Sequence, residues 1–417
     1  MSLMVKKPEL LLPAGSLDRL RTAFLYGADA VYCGLPTVSL RAKSAFTLED
    51  LKKGIEYAHK SGKKIYLTLN LFTHNRDLER LFEAVSTLKV LNPDGVIVAD
   101  PGVFDLVGQL APEIPRHIST QANVCSYLTV GYWEKQGAAL CVLGREVPLS
   151  EMREIRKMCP NIRLEAFVHG AMCISYSGRC LLSNLMTGRS ANKGNCAHSC
   201  RWKYKTYLEE ETRPGEFFEL DEDNHGAYVM NSRDLCLMPR LNEVLEVGLD
   251  SFKIEGRNKS EYYVAVAARA YRKAIDDYFE EPKKWMPDVY LHELSTLQNR
   301  GYTLGFLDGN AGPESLNYTL SASTGNWRYA GLIKENKEGL ITLEIKHKLE
   351  KGDEIEFLSP LRFEPIKIKL DTFYDERNGK ELTVISSGHL GQAVKIPVSA
   401  ETAAPLPPLS VCRKRIG

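Results

Sequence analysis

The 417-residue sequence has no long apolar run, no excess of either charge and a low density of cysteine. No apolar run reaches the roughly 18–20 residues that span a bilayer, and the first residues lack the apolar stretch of a secretory signal. Lysine and arginine number 54 against 53 acidic residues, so the net charge of +1 excludes a global field that attracts nucleic acid or membranes. Ten cysteines are too sparse for a disulfide scaffold. These absences predict a cytoplasmic protein with reduced thiols.

Two common hydrolase motifs are also missing. The sequence contains neither H-E-x-x-H, which places zinc ligands on a helix, nor G-x-S-x-G, which surrounds a nucleophilic serine, and its nine histidines are scattered. A peptidase would have to use Glu165, His169 or one cysteine, and nothing in the spacing selects among them.

Short apolar runs alternate with amphipathic stretches over the first 170 residues, which is typical of parallel strands joined by helices. The predicted strands begin at Glu9, Ala30, Lys64, Gly95, His117, Ala139 and Arg163. An eighth, Asp250–Glu255, comes late and leads into a helix over about residues 259–278. Eight β/α units predict an α/β fold with a TIM-type (β/α)8 barrel, with a doubly wound open sheet as the alternative.

The chain is too long for a single core, and its character changes near residue 325. Short alternating segments with glycine and asparagine turns follow, which predict a small all-β barrel. We therefore expect a barrel domain over residues 1–280 with an insertion at 170–248, a connector over 281–324 and an all-β domain over 325–417. The end of the chain predicts an extended segment with a basic tail, Arg413–Arg415.

Half of the cysteines lie in the insertion, where barrels carry their active sites. These are Cys173, Cys180, Cys196, Cys200 and Cys236. Thiolates from separate loops suit a structural zinc ion or an iron–sulfur cluster, and only Cys196 and Cys200 have the short spacing usual for zinc. The spacing favours an iron–sulfur cluster, with zinc as the alternative. Small buried cysteines, or one catalytic cysteine with His169 or His198, remain open.

The insertion also has a stretch without acidic residues, from Ala166 to Leu208. Basic and aromatic side chains interleave there, which suits single-stranded RNA because phosphates are neutralised and bases stack. The predicted RNA-binding residues are Arg179, Arg189, Lys193, Arg201, Trp202 and Lys203. The alternative is a solvated basic loop whose charge is balanced elsewhere.

One segment of the insertion carries a specific signature. Residues Glu165–Ser183 contain E-x-F-x-x-G, then a cysteine, then G-x-C-x-x-S, and this resembles the collagenase-like peptidase family U32. Glu9–Gly15, Gly27–Gly34 and Phe252–Arg257 also look like motifs of that family. The resemblance covers the barrel and, with the C-terminal β-domain, most of the chain.

The resemblance implies more than proteolysis. Several members of the family are oxygen-independent hydroxylation or RNA-modification factors with a 4Fe–4S cluster. This chain most resembles the branch that makes 5-hydroxyuridine at the wobble position of tRNA, with prephenate as a required metabolite. By similarity to a related branch, the cluster ligands match Cys173, Cys180, Cys196 and Cys236. Cys200 departs from that pattern, and it could either replace Cys236 or stand beside the cluster.

We expect polar residues at the strand ends to line the pocket: Asn70, Gln121, Glu165, His169, Lys253, Glu255 and Arg257. Glu165, His169 and Glu255 are the predicted catalytic residues. Arg257 and Arg41 could hold a small anionic metabolite through bidentate contacts. The main hypothesis is a tRNA uridine hydroxylase. The alternatives are a peptidase and a non-catalytic RNA-binding or assembly factor.

Overall fold

The computed structural model describes residues 6–35, 46–173, 175, 180, 182–189, 191, 195–202, 206–209, 214–215, 217–220, 232–309, 315, 323–337, 339–386 and 391–416. The strands are β1 (Glu9–Pro13), β2 (Ala30–Gly34), β3 (Lys64–Leu69), β4 (Gly95–Val98), β5 (Arg116–Ile118), β6 (Leu140–Val142), β7 (Arg163–Ala171), β8 (Thr206–Glu209), β9 (Phe217–Leu220), β10 (Asp234–Cys236), β11 (Ser251–Ile254), β12 (Tyr302–Thr303), β13 (Trp327–Lys337), β14 (Leu340–Ile345), β15 (Leu349–Glu350), β16 (Glu354–Leu358), β17 (Ile366–Lys369), β18 (Tyr374–Asp375), β19 (Val384–Ile385), β20 (Ala393–Pro397) and β21 (Val411–Arg415). The helices are α1 (Leu17–Leu25), α2 (Leu48–Lys60), α3 (Leu78–Leu91), α4 (Pro101–Leu110), α5 (Tyr127–Lys135), α6 (Leu149–Met158), α7 (Leu182–Thr187), α8 (Leu241–Glu246), α9 (Glu261–Glu280), α10 (Asp288–Ser295) and α11 (Ala400–Ala403).

Eight parallel strands close into a barrel. Strands β1 to β7 pair in sequence order, and β11 pairs with both β1 and β7, which joins the two edges. The predicted TIM-type barrel is therefore confirmed, and so is the late eighth strand. Closure brings the C-terminal ends of all eight strands to one rim, where side chains far apart in sequence meet.

Helices cover the outside of the barrel, and polar residues fix where several of them begin. Ser16 caps α1, Thr47 and Asp50 form a capping box on α2, and Ser260 caps α9. Helix α9 is largely buried because it packs between the barrel and the C-terminal domain. None of the described helices is long and apolar enough to cross a membrane.

The barrel interior is partly polar. Near the N-terminal ends of the strands, Glu9 accepts a hydrogen bond from the Tyr66 hydroxyl at 2.9 Å and pairs with Lys64 at 3.0 Å. The His117 ring packs edge-on to Tyr66 at 4.7 Å between ring centres. Burial, reinforced by the positive charge of Arg163, lowers the pKa of His117 to about 3. His117 is therefore neutral in the folded protein at every physiological pH.

Neutral His117 makes stability depend on pH. In the unfolded chain the His117 imidazole takes up a proton near pH 6.5, whereas in the folded protein it stays neutral down to about pH 3. The contribution of His117 to the free energy of unfolding is therefore complete above pH 6.5 and falls as the pH drops toward 3. We expect wild type to lose about 2 kcal/mol more than the His117→Phe variant between pH 7 and pH 5. Urea unfolding at both pH values measures this. Equal losses in the two proteins would contradict a buried neutral histidine.

Part of the insertion and the connector extends the barrel sheet. Strand β10 runs antiparallel to β7, with Cys236 opposite His169, and β12 pairs parallel with β10. Strands β8 and β9 form a separate hairpin. The insertion and the connector thus lie against the rim of the barrel next to β7.

The C-terminal region is a curled antiparallel sheet with strand order β17, β16, β21, β13, β14, β20, β18. This confirms the all-β prediction. The prediction of a basic tail was wrong, because Arg413–Arg415 belongs to β21, which lies between β16 and β13. Arg413 is buried because Glu356 accepts a hydrogen bond from its Nε at 2.8 Å and Glu293 from Nη1 at 3.2 Å.

Buried polar contacts join this sheet to the barrel. The Tyr26 hydroxyl of the barrel donates to the Leu358 carbonyl at 2.5 Å and accepts from the Val411 amide at 3.0 Å. Glu293 of α10 pairs with Arg269 of α9 at 2.9 Å as well as with Arg413. Such satisfied buried groups favour one relative placement of the two parts, since any other would leave charges unpaired.

Candidate active site

A cavity of about 450 Å³ lies at the C-terminal rim of the barrel, between the strand ends and the insertion. The described residues that line it include many of the predicted site residues, namely Asn70, Gln121, Cys173, Cys180, Cys196, Cys200, Lys253, Glu255 and Arg257. This volume suits a small molecule or one nucleobase.

A buried ion pair lies under the cavity. Lys253 Nζ donates to Glu165 Oε1 at 2.8 Å, and Ser251 Oγ donates to Glu165 Oε2 at 2.8 Å. The two side chains are only 5% and 1% exposed. Strands β7 and β11 set this geometry because their register places Ser251 opposite Glu165. Both carboxylate oxygens are satisfied, so Glu165 holds Lys253 in place.

Aromatic rings surround the Lys253 ammonium. It lies 4.5 Å from the centre of the Tyr32 ring and 5.5 Å from that of Phe167. Both rings also line the cavity, and an aromatic face attracts a cation. The cation is therefore kept at the cavity wall rather than in bulk water.

Glu255 is placed beside the cavity by two neighbours. The Tyr32 hydroxyl lies 3.3 Å from Glu255 Oε2, and Arg145 Nη2 lies 3.7 Å from the same oxygen. Gly170 packs against this turn, where an added Cβ would come within 2.5 Å of the Glu255 carbonyl oxygen at a φ of +114°. Only glycine fits there without strain. Glu255 is thus a carboxylate fixed at the cavity wall.

Arg145 is a site residue that the sequence reasoning missed. Its guanidinium lies 4.0 Å from the centre of the Phe167 ring and lines the cavity with Glu255. The available signal was its position directly after the sixth strand, because side chains after barrel strands point to the active face.

Two further polar residues face the cavity. Arg257 Nη1 donates to Thr68 Oγ1 at 2.9 Å, which fixes the guanidinium above the strand ends. Asn70 Oδ1 is buried and accepts no hydrogen bond from the described residues. A buried oxygen without a donor costs free energy unless a ligand or water supplies one. Asn70 is therefore suited to receive an N–H group of a bound molecule.

Four of the insertion cysteines line this cavity: Cys173, Cys180, Cys196 and Cys200. Cys236 is not among the described lining residues. It is buried on β10, its Sγ lies 3.9 Å from the Tyr271 hydroxyl, and burial raises the pKa of its thiol to about 11. The structure thus brings Cys200, rather than Cys236, together with the other three.

The donor type fits a cysteine-bound metal group. Four cysteines are the usual ligands of a 4Fe–4S cluster and also of a structural zinc ion. Within the described part of the chain, no three His, Cys, Asp or Glu side chains form a group that could hold a metal ion. All ten cysteines are described and none forms a disulfide. The four cysteines therefore share one cavity and have the right donor type, but among the described residues they do not form such a group.

His169 does not join the described lining of the cavity. Its ring packs among Tyr263, Tyr271 and Tyr302, with centroid distances of 5.5–5.9 Å. Burial lowers its pKa to about 4, so the ring is neutral. The structure places this predicted catalytic residue in the core behind β7 and β10. Glu165 likewise reaches the cavity only through Lys253.

The predicted RNA-binding residues are described only in part. Arg179, Lys193 and Lys203 lie outside the described residues, as does Arg41, and the side chain of Arg201 is also outside them. Arg189 is exposed and donates to Asn195 Oδ1 at 3.2 Å, and Trp202 is 42% exposed. Two members of the predicted surface are thus accessible near the cysteines.

Comparisons with known proteins cover most of the chain. Residues 15–317 match Peptidase family U32, and residues 325–412 match the Peptidase family U32 C-terminal domain. The tRNA hydroxylation protein P of Escherichia coli is 38% identical, covering 85% of this chain and 86% of that protein. The tRNA hydroxylation protein P1 of Bacillus subtilis is 38% identical, covering 91% and 89%. A collagenase of Porphyromonas gingivalis is 30% identical and covers 94% of both chains.

Proposed function

Because this chain belongs to peptidase family U32, we propose that it hydroxylates tRNA, converting the wobble uridine to 5-hydroxyuridine without molecular oxygen. Relatives named as tRNA hydroxylation proteins support the substrate class. The observation that carries the proposal is the cavity itself, where four cysteines face a fixed lysine, a glutamate and an arginine. A tRNA substrate agrees with the cytoplasmic location expected from the sequence.

We assign Cys173, Cys180, Cys196 and Cys200 as the ligands of a 4Fe–4S cluster. When bound, the cluster would supply electron transfer at the mouth of the barrel. Zinc is the alternative for the same four residues. The protein residues below the cluster would bind the substrates, hold them in position and exclude water.

The wobble base is proposed to enter the cavity beside Asn70 and above the Lys253 ammonium, which the rings of Tyr32 and Phe167 hold. Anticodon-loop bases are not locked in a duplex, so they can be turned out at modest cost. Asn70 Oδ1, which has no donor among the described residues, would accept the uracil N3–H. The Asn70 amide would then donate to a neighbouring uracil oxygen, which selects uracil over cytosine.

The charged residues have separate proposed roles. Glu255, a carboxylate fixed at the cavity wall, would act as a general base toward a proton of the bound substrate. Lys253, held by Glu165, would stabilise negative charge that develops on a substrate oxygen. Arg257 would bind the carboxylate of a small anionic metabolite such as prephenate.

Nucleoside mass spectrometry tests the function. The chain is expressed in bacteria whose tRNA lacks 5-hydroxyuridine, grown with and without oxygen. We expect the modification to appear under both conditions with wild type and to be absent with the Cys173→Ser/Cys180→Ser variant. Unmodified wobble uridines in a strain that produces the folded, iron-loaded protein would reject the hydroxylase. RNA binding without modification would instead favour a binding or assembly factor.

A peptidase is the second candidate, because one relative is a collagenase and His198 lines the same cavity as the cysteines. The His198 backbone amide donates to Cys196 Sγ at 3.3 Å, across one intervening residue. Gelatin hydrolysis by the purified protein, lost on Cys196→Ser, would support this function over hydroxylation.

A further inference from the structure

Two further cavities lie between the barrel helices and the C-terminal sheet. The middle one, of about 260 Å³, lies between the start of α9 and strands β13 and β14. The outer one, of about 950 Å³, lies between α10 and strands β13, β16, β17 and β21. We call these two cavities together the junction groove, since they follow the junction of the barrel and the sheet.

Neighbouring cavities share a lining residue. Lys259 lines both the active-site cavity and the middle cavity. Trp327 lines both the middle and the outer cavity. Tyr263 also lines the middle cavity, and its hydroxyl donates to the Glu255 carbonyl at 2.7 Å. The junction groove therefore begins next to the active-site cavity.

Cationic side chains follow this path. Arg328 and Lys346 line the middle cavity, and Lys367, Lys369 and Arg415 line the outer one. The last three are solvent-exposed. Lys369 and Arg415 make no ion pair with a carboxylate among the described residues, and Lys367 is 3.8 Å from Glu356. Both cavities of the groove thus carry cationic side chains, which a polyanion needs for its phosphate contacts.

Two of the four described carboxylates that line the groove are neutralised. Glu293 and Glu356 are buried and paired with Arg413, and Glu293 also pairs with Arg269. Glu354 and Glu364 remain as the exposed acidic residues of the outer cavity. The accessible charge of the groove is therefore positive.

An aromatic ring sits where the two groove cavities meet. The guanidinium of Arg413 lies 4.5 Å from the centre of the Trp327 ring, which anchors the indole, and the indole still borders both cavities. A fixed indole beside cations is the combination that binds single-stranded nucleic acid, by stacking one base while phosphates are neutralised.

We propose that the junction groove binds the single-stranded RNA that flanks the modified nucleotide. The phosphates contact Lys367, Lys369 and Arg415, one base stacks on Trp327, and the target base enters the barrel cavity past Lys259. This inference rests on the proposed function, because it takes RNA as the substrate. It assigns the C-terminal sheet a direct part in RNA binding.

Charge removal on the groove tests the proposal. The Lys367→Ala/Lys369→Ala/Arg415→Ala variant is compared with Lys52→Ala/Lys89→Ala/Lys157→Ala, which removes the same charge from exposed positions on α2, α3 and α6. Binding of unmodified tRNA is measured against salt concentration by fluorescence anisotropy. We expect the groove variant to bind roughly tenfold to a hundredfold more weakly near physiological salt. The slope of log affinity against log salt concentration should fall in magnitude by about two. The control should bind like wild type.

A second pair of variants keeps the test valid if the triple variant misfolds. Trp327→Phe should retain most of the affinity because a ring remains, while Trp327→Leu should lose roughly tenfold. Circular dichroism melting confirms that each variant is folded. Wild-type affinity in both the folded triple variant and Trp327→Leu would show that the junction groove does not bind RNA.

The two proposals fail in different ways. If the groove variants modify and bind tRNA like wild type, the junction groove does not bind RNA, and the proposed hydroxylase function is unaffected. If the groove variants lose RNA affinity but the wild-type protein never modifies uridine, the groove binds RNA and the proposed hydroxylase function is wrong.

Discussion

Replacing Lys253 by methionine is expected to lower 5-hydroxyuridine formation by about a hundredfold to a thousandfold, since it removes a cation that a buried carboxylate holds at the cavity wall. The same change leaves Glu165 buried without its partner. An uncompensated buried charge costs about 3–5 kcal/mol of stability. Lys253→Met should therefore lose both activity and stability.

A double variant separates these two losses. Lys253→Met/Glu165→Leu removes both charges, and apolar replacement of a buried pair is often close to neutral for stability. We expect urea unfolding to show most of the stability restored, while mass spectrometry of tRNA still shows no product. A double variant that regains activity together with stability would show that the ion pair is only structural.

The second large effect is expected from the cysteines. After anaerobic purification, Cys200→Ser should lose most of its iron and its visible absorption, because Cys200 shares the cavity with Cys173, Cys180 and Cys196. Cys236→Ala should keep wild-type iron, because Cys236 lies on β10 beside Tyr271. Iron and sulfide assays with visible spectra measure both, and tRNA modification should follow the iron content.

The reverse result is equally informative. Loss of iron in Cys236→Ala with full iron in Cys200→Ser would support the ligand set implied by the family resemblance instead. One zinc ion per chain in wild type, with no iron, would show that the cysteines hold a structural zinc ion and not an iron–sulfur cluster.

The barrel was predictable from the sequence because each of its strands is buried on both faces. Leu10–Leu12 and Ile65–Leu67 are nearly inaccessible, so they appear as short continuous apolar runs. The polar residues Asn70 and Glu255 follow directly after such runs. These residues meet at one rim once the sheet closes into a barrel. The count of eight strands indicated that closure.

The charged strand β21 was not predictable in the same way. Its residues Arg413, Lys414 and Arg415 have the composition of a solvated tail. Arg413 is buried only because Glu293 and Glu356 neutralise it, and they lie 120 and 57 residues earlier in the chain. Local patterns carry no information about partners so distant.

The sequence predicted which polar residues reach the site better than it predicted which of them are buried away from it. Lys253, Arg257 and Asn70 reach the cavity as expected from their strand-end positions. His169 has the same kind of position, but β10 and three tyrosines cover it. Burial by the insertion depends on how a long irregular segment folds back, which spacing does not reveal.

The central place of β21 has a consequence for synthesis of the protein. Strand β21 follows all the other described strands in sequence, yet it pairs with both β13 and β16. During synthesis it leaves the ribosome after those strands, so the barrel strands can close first while the C-terminal sheet waits for its middle strand. Any chain that stops before residue 411 would carry a closed barrel beside an unfinished sheet whose glutamates lack Arg413, and it should be a substrate for proteolytic quality control.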